Sequence, residues 1–122
     1  MYYDAAFARA RAICYSHIPV LQFSYDTAFA CGPGDLAEVG VAAGAQVIMA
    51  AAGLLDAGKT DRKVWCFDSF QGISLASAKD DVQPGIGPVS STEMDPLVLA
   101  KSSGVTVHSL DCIKDHIKAA GL

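Results

Sequence analysis

Leu36-Ala37-Glu38-Val39-Gly40-Val41-Ala42-Ala43-Gly44 is the stretch whose reading decides the fold. It is a short apolar run between turn residues, which fits a strand near 36–41 covered on both faces. Gly44 to Ala57 follows, rich in Ala, Met and Leu, and reads as a helix. Gly58 marks its end, because glycine accepts the left-handed conformation a helix stop needs. After the exposed connector Lys59-Thr60-Asp61-Arg62 comes Val64-Trp65-Cys66-Phe67, β-branched and aromatic, closing at Asp68. That is a second strand, near 63–68. Strand, helix, strand with buried strands predicts parallel pairing and a right-handed crossover, hence an α/β chain.

Outward from this unit the chain is less regular. Residues 3–17 are Ala-rich and read as a helix that Pro19 stops, with Ile18 pushed out of the α region. Ser24 to Cys31 fits a short second helix before Gly32-Pro33-Gly34 breaks the chain. Residues 1–34 therefore read as a helical lead-in to residues 35–122. Downstream, 69–90 reads as a long loop, 92–103 as a helix, 105–109 as a third strand and 112–120 as a last helix.

The whole chain has 122 residues and nine basic against thirteen acidic side chains, a net charge of −4. One domain is expected at that length. The acidic balance, with no basic face, argues against nucleic acid and against an anionic membrane as partner. The uncharged run Val39 to Leu55 is not a membrane span, since it is built from Ala and Gly and carries Gln46. No secretory signal is expected, because Met1-Tyr2-Tyr3-Asp4 is acidic. Cys14, Cys31, Cys66 and Cys112 make no C-x-x-C pair and read as buried or inert thiols of a cytoplasmic protein.

Three acids fall at the ends of the three expected strands. Glu38 precedes a glycine turn, a poor setting for the pyrophosphate of a dinucleotide but a good one for a ligand carrying a sulfonium, an ammonium and ribose hydroxyls. Gly40 lets the turn pass close beneath such a ligand, and Gly44 opens the helix with no side chain in the way. Asp68 suits vicinal ribose hydroxyls, or serves as a strand-end turn former or helix cap. Asp111 suits an adenine amino group, or caps the last helix. His17, His108 and His116 read as structural or surface histidines. No nucleophile elbow and no phosphate-cradling G-K-[ST] is present.

Glu38-Val39-Gly40-Val41-Ala42-Ala43-Gly44 and Arg62-Lys63-Val64-Trp65-Cys66-Phe67-Asp68-Ser69-Phe70-Gln71-Gly72 resemble the macrocin O-methyltransferase (TylF/MycF-type) family of class I S-adenosylmethionine-dependent methyltransferases. The D-S-F-x-G element is its more specific part. The resemblance implies a Rossmann-like parallel sheet in a three-layer α/β/α fold, here truncated, with three strands visible of the usual seven. It implies that Glu38, Gly40 and Gly44 hold the methionine part of S-adenosylmethionine, Asp68 with Ser69 and Phe70 the ribose side, and Asp111 the adenine. The family usually has glycine where this chain has Leu110, and a bulkier residue and second glycine in the turn that here reads Ala42-Ala43. Members that use magnesium take its ligands from later strands, so no magnesium site is expected in this chain. The implied activity is methyl transfer to an oxygen of a small-molecule acceptor. A non-catalytic cofactor-binding or assembly module, or a nicotinamide-dependent enzyme, are the alternatives. An uncovered edge of strand one is expected to drive self-association.

Overall fold

The computed structural model describes residues 1–14, 17–72 and 107–122. They divide between two compact units, one of Met1–Asp68 with Leu110–Leu122 and one of Ser69–Ser109. The first unit contains α1 (Tyr3–Ile13), α2 (Ile18–Ala30), β1 (Leu36–Val39), α3 (Ala45–Asp56), β2 (Val64–Phe67) and α4 (Leu110–Ala119).

The strand–helix–strand reading holds in register. β1 and β2 pair in parallel, with Leu36 opposite Val64 and Val39 opposite Phe67. α3 starts after Gly44, which is left-handed at φ 87°, and runs to Asp56. Gly58 takes φ 73° just past its end, and the amide of Lys59 closes back on Leu54 O, as a glycine stop requires.

α3 is the centre of the unit. Its Ile48, Met49 and Ala52 meet Ala6 and Ala10 of α1 and Leu21 and Tyr25 of α2 in the main core. Ala50 and Leu54 join Ala28, Leu36 and Val64 in a second cluster that ties the sheet to the helices. Gly53 allows α2 to come close: a Cβ there would collide with the Tyr25 carbonyl oxygen and press on Ala28 Cβ.

Several expectations are corrected. α2 begins at Ile18, well before Ser24, so Ile18 is inside a helix rather than outside the α region. Pro19 stands in the first turn of α2, where its missing N–H costs nothing. The expectation that both sheet faces are covered also fails. Leu36, Glu38, Val64 and Cys66 face the helices, while Val39 is 84%, Trp65 51% and Phe67 55% exposed on the other face. The sheet has two strands among the described residues. Of the expected third strand, Val107–Ser109 adopt no regular structure and 105–106 lie outside the described residues. The loop after Gly72 and the helix at 92–103 also lie outside them. No described helix is long and apolar enough to cross a membrane.

Long-range caps complete the unit. Tyr2, at the N-cap of α1, offers no side-chain cap. Asp56, the last residue of α3, does this instead, accepting the amides of Tyr2 (2.7 Å) and Tyr3 (3.1 Å) and the Tyr25 hydroxyl (2.9 Å). At the other end of α2, Lys59 Nζ donates to the carbonyls of Phe29 (2.6 Å) and Cys31 (2.7 Å), groups left without a helical partner.

Candidate functional site

The turn from Gly40 to Gly44 crosses the carboxyl end of the two-stranded sheet. Gly40 has φ 85° with open space where a Cβ would stand, as close passage of a ligand requires. The ladder extends one step beyond β1, because the Gly40 amide donates to Phe67 O at 2.8 Å. The turn then closes with Gly44 N–H donating to Val41 O at 2.8 Å. Ala42, between them, sits at φ 46°, a left-handed conformation that costs an L-residue about 1 kcal/mol or more.

Asp68 is the group that holds this turn. Its Oδ2 accepts the amide of Val41 at 2.8 Å and that of Ala42 at 3.4 Å. The carboxylate at the end of β2 thus meets the turn at the end of β1, the shared rim the parallel pairing creates. The turn-former reading of Asp68 is therefore realised in the backbone.

Glu38 reaches the same turn from the helix side. It shares a small hollow of about 50 Å³ with Gly40, Val41, Ala43 and Gln46. It also lines a wider cleft of about 270 Å³ beside Phe23, Thr27 and Val64. Burial pushes its carboxyl up to about 7, and no described residue hydrogen-bonds it. A carboxyl in that condition carries partial negative charge near neutral pH and keeps its acceptor capacity for something else. The neighbouring Cys66 thiol is raised by burial and then by Glu38.

The other expected site residues are placed differently. Asp111 is the second residue of α4, exposed, and not the last residue of a strand; its carboxylate sits in a first turn, where the helix dipole favours an acid. Ser69 and Phe70 belong to the second unit. There Ser69 Oγ accepts the Gln71 amide at 3.2 Å and donates to Gly72 O at 3.3 Å, and Phe70 has φ 56°. In the first unit, then, Glu38, Gly40, Gly44 and Asp68 come together and Asp111 stands in another element.

His116, expected to be a structural or surface histidine, holds the turn from α4. Its Nδ1 lies 3.0 Å from Ala43 O, inside the turn, while Ile113 on the same helix packs against Gly44, whose Cβ would come within 3.1 Å of it. The one sequence signal was the i, i+4 spacing of Cys112 and His116 on an amphipathic helix. Among the described residues no cluster of acids, histidines and cysteines is arranged to hold a metal ion.

The carboxyl end of the sheet thus presents a glycine turn with two carboxyl groups, Glu38 and Asp68, beside it. The model of the macrocin-O-methyltransferase (TylF) family matches residues 21–103. A curated relative, the 8-demethyl-8-(2,3-dimethoxy-alpha-L-rhamnosyl)-tetracenomycin-C 4'-O-methyltransferase of Streptomyces olivaceus, is 33% identical over 103 residues. That match takes in 84% of this chain and 36% of the relative, so the chain spans about a third of the relative's length. No solved structure matches the chain.

Proposed function

We propose a function from one premise: this chain belongs to the macrocin-O-methyltransferase (TylF) family. It acts as the S-adenosylmethionine-binding part of an O-methyltransferase whose acceptor is a small-molecule hydroxyl. The relative's name describes methylation at a 4'-oxygen of a rhamnosyl-bearing compound, which supports a sugar hydroxyl as the acceptor class. When bound, the cofactor supplies an electrophilic methyl on a sulfonium; the protein's part is positioning and exclusion of water.

The observation that carries this reading is the Asp68 carboxylate bonded to the Val41 and Ala42 amides of the glycine turn. It fixes a strained turn at the rim with Gly40 open to the approaching ligand. Glu38 contributes negative charge that favours the cofactor's cationic groups, and Asp68 an acidic rim for the ribose. Ser69, Phe70 and Asp111 are proposed to contribute through the rest of the cofactor, and no magnesium ligand is assigned. We place the chain in the cytoplasm, without nucleic acid or membrane partners. We also propose self-association through the β1 edge, supported by the exposed apolar face of Val39, Trp65 and Phe67.

Calorimetric titration of the chain with S-adenosylhomocysteine and with NAD tests the proposal. S-adenosylhomocysteine binds, and Asp68→Ala weakens it by about tenfold or more as the turn loses its anchor. Binding of NAD alone refutes the reading. Binding without turnover on sugar acceptors favours a non-catalytic cofactor module.

A further inference from the structure

Cys112 and His116 lie one turn apart on α4, with Sγ 3.6 Å from Nε2. The other ring nitrogen, Nδ1, is 3.0 Å from Ala43 O. A carbonyl only accepts, so the proton of the neutral ring sits on Nδ1, and Nε2 faces the thiol as an acceptor. Thiol, imidazole and an orienting carbonyl stand in the order that activated nucleophiles use. The orienting group comes from the β1–α3 turn, so the ring is fixed by tertiary structure and not by its own helix.

Cys31 and Cys66 have other neighbours. Cys31 donates to Ala28 O at 3.1 Å, in the cluster of carbonyls around Lys59 Nζ. Cys66 lies against Val64 O at 3.8 Å, next to Glu38. Cys112 is only partly buried, which leaves it within reach of a small reagent.

We infer that Cys112 is a base-assisted nucleophile and a modification site for small, soft carbon electrophiles, with His116 as its proton acceptor. In the step, Sγ attacks the electrophilic carbon and an S–C bond forms. With iodoacetamide the C–I bond breaks and iodide leaves with the bonding pair. The thiol proton passes to His116 Nε2, and the imidazolium then releases a proton to water. This departs from the expectation of four inert thiols, and it stands apart from the cofactor reading because labelling needs no cofactor.

The test treats the full chain with limiting iodoacetamide near neutral pH and follows the adduct at each cysteine by peptide mass spectrometry. Cys112 is expected to label about tenfold faster than Cys14, Cys31 and Cys66, an advantage that disappears in urea, where the His116 geometry is lost. His116→Asn keeps an amide N–H where Nδ1 stood, able to donate to Ala43 O, but takes no proton. It is expected to bring Cys112 down to the rate of the other thiols with an unchanged circular dichroism spectrum. Equal rates in the native wild-type chain overturn the inference without any variant. So does a fast Cys112 that survives either urea or His116→Asn.

Discussion

α3 and the β1–β2 pair are similarly apolar in sequence, yet they end in opposite circumstances. α3 buries Val47, Ile48, Met49 and Leu54, with α1 and α2 packed along it. The strands half-bury one face and leave Val39, Trp65 and Phe67 open on the other. The contrast teaches that an apolar segment announces its wish for burial, while neighbouring elements decide whether both sides receive it. It also divides the roles: the helices hold the unit together, and the sparsely covered sheet carries the rim where the cofactor is proposed to bind.

The most severe way to break the contrast is Gly53→Val. It places bulk where α2 and α3 touch and is expected to cost about 3 kcal/mol, read as a fall in the urea midpoint. A similar loss from a substitution on the open sheet face would erase the distinction.

Asp56→Ala attacks the helical side through its hydrogen bonds. It removes three acceptor contacts, to Tyr2, Tyr3 and Tyr25, and is expected to cost about 1 to 2 kcal/mol in the same measurement. The Asp56 carboxyl is drawn up by burial, but the Tyr2 amide, the Tyr25 hydroxyl and the Tyr3 amide outweigh this and hold it below its ordinary 3.8. Its contribution is therefore present above that value and lost as pH falls through the lowered one. Tyr25 marks the alkaline limit. Burial and then the Asp56 contact push its hydroxyl up to about 12, so stability present below 10 is lost as pH rises through 12.

Glu38→Gln sharpens the comparison from the sheet side. Burial raises the Glu38 carboxyl from 4.5 to about 7, so the wild-type fold is favoured below 4.5 and loses stability as pH rises through 7. The variant is expected to flatten the urea midpoint across that window. An unchanged slope would mean that Glu38 ionises freely in solvent.

The smallest effect belongs to the open face. Val39→Thr with Phe67→Ser is expected to change stability by no more than about 0.5 kcal/mol while shifting sedimentation toward the monomer. Wild-type chain that sediments as a monomer at high concentration would remove the proposed self-association.

Much of this was legible from residue order. The strand–helix–strand unit, its parallel sense, Gly44 as the helix opening and Gly58 as its stop all follow from short-range signals: apolar runs, Ala-rich composition and glycine where φ turns positive. The ends moved by only a few residues, β1 closing at Val39 and β2 at Phe67. Pro19 was misread because a proline that ends one helix and a proline that begins the next carry the same local signal. Asp111 left two readings open for a related reason, since a strand end and a helix start both favour an acid, and it stands in the first turn of α4.

The sequence by itself determined the elements and the acidic, glycine-bearing turn between two of them, because helix, strand and turn preferences act within a few residues. Only the tertiary structure decided that Asp68 would be held by the Val41 and Ala42 amides, that Asp56 would cap α1 and Lys59 the end of α2, and that His116 would be aimed by Ala43. Each of those contacts joins groups far apart in the chain. A hydrogen bond needs its partner within about 3 Å, and only the docking of whole elements brings such distant groups that close.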